Sequence, residues 1–429
     1  MRRSAKRFPS GPVRAGSGGT TPAQSLQMSK QMSKNSFDLA TSRNSLHSAW
    51  AMMFNRSRPS SRNTVGIDGI SINDFAIDSV ANLNKLSREI RDGTFHFSGL
   101  RPHLIKKPNG KDRLICIPTV KDRIVQRSLL EYLSTKHQEK LANDVSYGFV
   151  KNRNVKLAAT LACNLRKDNP WVFKTDITSF FDRVDRKVLV QAISRHVRDK
   201  SLHKILFEAL SSEVLYSSKQ ELNRITKLGI KEGRGVRQGM PLSPIFANIL
   251  LLQFDKAIKH KSYKCVRYAD DLIFFTKSAE ECKAICQFCS IELGKLNLQI
   301  PPIEPNSKSV IYEPGEPAEF LGLGLCLENG SYVLKLMPKQ LESIRDSLLK
   351  MGSIKELLNR NIKLANLGQA IESRKSGYIY AYVDCVNADE LEHELANIQQ
   401  KVLKKIYTDG LHIDVNKLPK ESRTFLGLL

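Results

Sequence analysis

The stretch CVRYADDLIFF, Cys265 to Phe275, constrains the fold more than any other. Its flanks are β-branched, aromatic and apolar, as in a buried strand, yet Asp270 and Asp271 sit side by side in its middle. A chain that carries such a pair must put it at a hairpin tip and bring something to offset the repulsion. A second stretch, WVFKTDITSFFD (171–182), reads as a strand running into a helix. Strand residues alternate faces, so Val172, Lys174 and Asp176 share one face, with Asp176 at the strand's end. Alone, Asp176 would be an ordinary helix N-cap.

Three carboxylates at the ends of adjacent strands raise one another's pKa unless a cation shares the site. Two Mg²⁺ ions, hard and oxygen-seeking, fit that need and form a clamp for in-line phosphoryl transfer. In nucleotide addition one ion activates a primer 3′-hydroxyl, while the other neutralises the triphosphate and the leaving pyrophosphate. The charge balance agrees with a polyanionic partner: 67 Lys plus Arg against 43 Asp plus Glu leave +24. The chain has no run of about 18 apolar residues and no apolar h-region near its start, so neither a membrane span nor a secretory signal is expected. Its eight cysteines lack paired CxxC spacing, as expected in a reducing cytoplasm. Cys282, Cys286 and Cys289 have the spacing of some iron–sulfur ligands, but i, i+4, i+7 is also one face of a helix, and small-residue packing is the reading preferred.

Residues 1–35 are basic and rich in Ser, Gly and Pro, and read as a disordered leader; the doubled MSKQMSK leaves Met28 and Met32 as alternative starts. From Ser36 to about Gly99 the pattern is helical, broken by the glycines of NTVGIDGISINDF. LRPHLIKKPNGKDRLICIP (100–118) reads as two strands turning at Pro108-Asn109-Gly110. VKDRIVQRSLLEYL has helical spacing, and GRGVRQGMPLSPIFANILLLQFDKAI is a Gly/Pro loop entering an apolar helix. AEFLGLGLCLENGSYVLKL predicts a hairpin turning at Asn329-Gly330, and helices follow from Pro338, clearest in ADELEHELANIQQKVLKKI.

Taken in order, these stretches resemble the group II intron-like branch of bacterial reverse transcriptases. RYADDL is similar to the YxDD box, FKTDITSFFDRV to the first catalytic-carboxylate motif, and GVRQGMPLSPIFANILL to the QG…SP motif; HLIKKPNGKDRLICIPTVKDRIVQ, SYGFVKNRN and NTVGIDGISINDF match that branch. The resemblance implies an α+β right-hand polymerase fold, with fingers, a palm built on an antiparallel sheet and a helical thumb. The corresponding ranges are 36–170 for an N-terminal extension and fingers, 171–335 for the palm (with part of the fingers around 190–235), and 336–429 for the thumb. It also implies roles. Asp176, Asp270, Asp271 and the Ile177 carbonyl would hold two Mg²⁺ ions, with Mn²⁺ as a substitute, and Asp270 would be the more direct ligand of the pair. Phe181 falls where a bulky aromatic excludes a ribose 2′-hydroxyl, with Phe180 facing the core. Gln238 and Gly239 would line the nucleotide and template pocket, and some of Lys106, Lys107 and Arg113 on the finger hairpin would meet the triphosphate, Arg113 first because its fork suits phosphate oxygens. Lys308 falls at a later motif lysine, although QIPPIEPN before it departs from the usual short loop. Tyr268 and Ala269 would press on the primer end, Phe320, Leu321 and Gly322 would form a primer grip, and Tyr147 and Arg153 either contact template or pack.

The resemblance further implies a stand-alone enzyme of the defence-associated kind. Such an enzyme copies a structured non-coding RNA into cDNA from dNTPs, in the cytoplasm, as part of anti-phage defence. No endonuclease module or zinc site follows the thumb region in this sequence, which points away from full intron mobility. The alternative is a maturase-like protein that binds and folds an intron RNA.

Overall fold

The structure is a computed structural model and describes residues 35–106, 110, 112–216, 218–360 and 362–428. Nearly all of the expected leader lies outside the described residues, as do Lys107, Pro108 and Asn109.

A four-stranded antiparallel sheet organises the chain. Its order is β4 (Lys264–Tyr268), β5 (Asp271–Thr276), β3 (Trp171–Asp176), β6 (Val310–Tyr312). Both faces are covered, which is why β5 reads as an unbroken apolar run. Phe173, Leu272 and Phe274 point to one core, packed with the Ser243–His260 and Ala279–Gly294 helices. Val172, Val266, Ile273 and Phe275 point to a second core shared with the Val155–Asp168 helix and the C-terminal helices. Each such side chain is worth roughly 1.5–3 kcal/mol buried rather than exposed, enough for the flanking strands to hold charged residues at their tips.

On the second face lies a three-stranded sheet of β7 (Ala318–Phe320), β8 (Leu323–Glu328) and β9 (Ser331–Lys335). β8 and β9 turn at Asn329 and Gly330, both with positive φ (50° and 76°), the backbone that a two-residue hairpin of this twist demands. Buried Arg166 staples this sheet to the Val155–Asp168 helix by donating to the carbonyls of Leu325 (2.6 Å), Glu313 (2.8 Å) and Glu316 (2.7 Å). That helix packs against strands of both sheets.

The finger hairpin pairs β1 (Arg101–Lys106) with β2 (Asp112–Ile117), and Leu100, Leu114 and Cys116 at its base pack on Val214, Ile225 and Met240. The thumb is helical as expected. Leu391, Leu395, Ile398 and Val402 form the buried stripe of the Ala388–Lys405 helix, and Asn387 clamps it to the sheet by bonding both the N–H (2.9 Å) and the carbonyl (3.1 Å) of Leu336. All eight cysteines are free; Cys282 and Cys289 are core residues of the Ala279–Gly294 helix, and among the described residues no group of His, Cys, Asp or Glu could hold a metal on that helix. No helix among the described residues is long and apolar enough to cross a membrane.

Candidate active site

The register of β3 on β5 sets Asp176 directly opposite Asp271, and β4 pairs Tyr268 with the same Asp271. Ala269 and Asp270 are thus the two residues of a tight turn, with Ala269 in the left-handed region (φ 58°). The Ile177 N–H donates to the Asp270 carbonyl (3.0 Å), tying the chain beyond β3 to that turn. The three carboxylates line one cleft of about 490 Å³ together with Lys174, Lys308 and Tyr312.

Burial pushes the Asp270 and Asp271 carboxyls above their ordinary range, and the neighbouring aspartates push both further. Lys308 and Arg113 pull Asp270 back, while Lys174 does most to pull Asp271 back. Lys308 reaches the Asp176 Oδ2, so the long loop before it still delivers a lysine to the site. That loop is pinned to β3: the Thr175 and Ser309 hydroxyls are 2.7 Å apart, and the Thr178 N–H donates to the Gln299 carbonyl (2.8 Å).

The donor set fits a hard divalent cation. The Asp176 Oδ1 is buried without a hydrogen-bond partner, and two more carboxylates with raised pKa values face it. As they stand, no three such side chains among the described residues are close enough to wrap one ion, and the Lys308 ammonium supplies the neutralising charge.

The turn rests on a buried ion pair to which the sequence reading gave no role. Arg267 (0% exposed) forks onto Asp255 (1%) through Nε (2.7 Å) and Nη2 (2.6 Å), and its Nη1 donates to the Ala269 carbonyl (3.0 Å) and to Asn248 Oδ1 (3.1 Å). Asn248 Nδ2 donates to the Gly148 carbonyl (2.9 Å), and Asn143 Nδ2 to Asp255 Oδ2 (2.9 Å). Gly148 is required sterically: a Cβ there would lie 2.3 Å from the Ala269 nitrogen. Arg153 is fully used inside this loop, donating to the carbonyls of Ala142 (2.8 Å), Asn143 and Ser146 (2.6 Å) and stacking on Tyr147 (4.5 Å). Of the two readings for Tyr147 and Arg153, packing is the one observed.

Of the nucleotide-pocket candidates, Phe180 is buried in the core, whereas Phe181 is half-buried at its edge. Gln238 and Gly239 abut the finger hairpin. The Cys116 N–H donates to the Gln238 carbonyl (2.7 Å), and a Cβ at Gly239 (φ 105°) would lie 2.4 Å from the Cys116 carbonyl. The close approach that demands glycine here is to strand β2. Arg113 is exposed and close enough to act on Asp270, while Lys106 is exposed and paired with Asp112 (3.2 Å). Lys107 lies outside the described residues.

Phe320 is 0% exposed, locked in the second core, and Leu321 and Gly322, both with positive φ (53° and 83°), form the turn above it. Ala269 is likewise buried under Gly148, leaving Tyr268, half-buried and 6.5 Å from Phe149, as the side chain facing outward there.

Comparison with known proteins gives the site a context. A relative in Saccharomyces cerevisiae, the putative COX1/OXI3 intron 2 protein, is 30% identical over 200 residues, covering 46% of this chain and 21% of that protein. Protein YkfC of Escherichia coli is 27% identical over 226 residues (51% and 55%), and the retron Ec83 reverse transcriptase of Escherichia coli is 26% identical over 173 residues (39% and 50%). The chain thus spans between about a fifth and just over half the length of these curated relatives. The family model described as reverse transcriptase (RNA-dependent DNA polymerase) matches residues 105–325, more than half of the 429, and takes in strand β2 of the finger hairpin, the three carboxylates and the Phe320–Gly322 turn. The chain belongs to the reverse transcriptase family.

Proposed function

We propose that this chain is an RNA-directed DNA polymerase that extends a primer by two-metal nucleotidyl transfer. The observation that carries the reading is the pairing of Asp176 with Asp271 beside the Asp270 turn, with the Asp176 Oδ1 left buried and unpartnered. Asp176, Asp270, Asp271 and the Ile177 carbonyl would hold two Mg²⁺ ions, which when bound activate the primer 3′-hydroxyl and offset the triphosphate charge. The remaining chemistry belongs to the chain. Arg113 orients the triphosphate with its planar fork, Phe181 walls the sugar at its 2′ position, and Tyr268 bears on the primer end. Arg267 and Gly148 fix the turn before substrate arrives, so that positioning costs nothing at the moment of reaction.

The test is extension of a DNA primer on an RNA template with dNTPs and Mg²⁺. Continued synthesis by an Asp270→Ala, Asp271→Ala double variant would sink the reading. We further infer that the template is a structured non-coding RNA copied into cDNA, in the cytoplasm, in the service of anti-phage defence. Phage plating on cells carrying the parent or the double variant tests that role, which fails if the two protect equally or not at all. Because relatives include intron-encoded proteins, a maturase-like role is the second reading. It requires that RNA folding survive the double substitution.

A further inference from the structure

Behind the catalytic turn lies a basic trough. Two adjoining clefts of about 400 and 520 Å³ share Glu139, Lys140, His196 and Arg198. Three elements build their walls: the Gln138–Leu141 helix with the His137 that caps it, the end of the Arg186–His196 helix, and the Ser243–His260 helix. Six cations line the two clefts against four carboxylates, and one of these, Asp255, is already neutralised by Arg267. Asp144 is paired with Lys259 (2.8 Å). Lys140, Arg195, Arg198 and Lys256 are exposed, and none has a carboxylate partner among the described residues. His196, 7% exposed at the floor, registers the same field: burial, then the charges of Lys256, Lys140 and Arg195, lower its pKa to about 4, so it stays neutral.

We propose that this trough is a second nucleic-acid site, which takes the phosphodiester backbone of a folded RNA segment that is not being copied. The chemistry selects the ligand. Exposed arginine and lysine heads without counter-ions gain most from a polyanion that releases its own counter-ions. Two clefts in line exceed what one phosphate fills, and Arg195 and Arg198 present forks suited to phosphate oxygens. Among the described residues no Phe, Tyr or Trp lines either cleft, which favours backbone contact with paired RNA over readout of a single strand. The site shares no residue with the catalytic cleft. Yet Asn143 and Asp255 in its wall belong to the network that holds Arg267 behind Ala269, so the bound segment lies on the far side of that network from Asp270.

This inference rests on the polymerase reading for the identity of the RNA, and the experiment separates the two. Binding of a labelled RNA stem-loop to the full chain is measured across a salt series, beside extension of a short unstructured primer–template. For the Lys140→Glu, Arg195→Glu, Lys256→Glu variant, stem-loop affinity should fall about 10- to 1,000-fold and the salt slope by about three, roughly one per lost phosphate contact, with extension retained. The corresponding glutamine variant, which only removes charge, should fall part of the way. Equal loss in a Lys261→Glu, Lys264→Glu, Lys283→Glu control would overturn the proposal, because net charge alone would then explain the effect. So would binding of inorganic triphosphate in the trough with RNA affinity unchanged by the substitutions. If the parent chain binds the stem-loop through the trough but extends nothing, the polymerase reading fails and the site stands. If it extends normally with binding indifferent to the trough, the reverse holds.

Discussion

At the scale of single residues, the site stores unfavourable charge. Asp270 and Asp271 both sit above the ordinary aspartate value of 3.8, with burial the leading cause. The folded state therefore holds those protons to higher pH than the unfolded chain does. Stability from this source is greatest in acid and falls as pH rises from about 3.8 through the raised values. Asp270→Asn should accordingly raise the melting temperature of the metal-free protein at neutral pH and leave it little changed in acid. The same substitution should cut primer extension by about 10³-fold or more, since several kcal/mol of charge stabilisation at ~1.4 kcal/mol per decade are lost with the ligand. Calorimetry at two pH values beside an extension assay checks both signs. Added Mg²⁺ should stabilise the parent more at neutral than at acidic pH, and Asp270→Asn should blunt that gain. For Phe181→Ala, discrimination against rNTPs should weaken by roughly 10- to 200-fold, the range that pocket sterics normally give; unchanged discrimination would remove Phe181 from the sugar wall.

At the scale of elements, what matters is how strands and loops hold one turn. Removing one partner of the buried Arg267–Asp255 pair should cost ~3–5 kcal/mol, because the other charge is left without compensation. Asp255→Ala measured by urea unfolding reads that directly. An Arg267→Met, Asp255→Leu double variant should recover much of the stability but not the turnover, since the Ala269 carbonyl still lacks its donor; recovery of kcat would show that the pair serves folding alone. Gly148→Ala should lower kcat with little effect on stability away from the turn, because its Cβ would displace the Ala269 nitrogen. These supports were not legible in the sequence, whereas the three aspartates were. Charges inside apolar strands break a local rule and announce themselves. An arginine in a strand reads as a solvated residue until a helix twelve positions earlier is found to carry its partner. The burial of Phe320 was not legible for the opposite reason: EFLGLGL alternates too weakly to say which face is core, and only the packing of two sheets decides it.

At the scale of the whole molecule, part of the +24 charge lies in the basic stretch of residues 1–35, and part is gathered by tertiary structure from distant positions. Burial, with the positive charges of Arg360 and Arg58, lowers the pKa of the Arg374 guanidinium, so residues far apart in sequence act on one another there. The trough behind the turn draws on residues near 140, 196 and 256, which no linear motif unites. A chain engaging six to ten phosphates should lose roughly 10³- to 10⁵-fold in RNA affinity between 50 and 200 mM salt, a slope measurable by titration. A flat salt response would contradict the electrostatic account at every site.

The cysteines have a practical consequence for watching the molecule move. Seven of the eight are buried and Cys286 is half-buried, and burial raises every one of these thiols, Cys116 to about 12 and Cys385 to about 11. Little thiolate is therefore present for a maleimide at neutral pH. A single cysteine introduced at an exposed site on the thumb, such as Tyr380, and another on the fingers would take up a pair of dyes ahead of the native thiols. Any change in their separation on adding primer–template could then be followed by energy transfer.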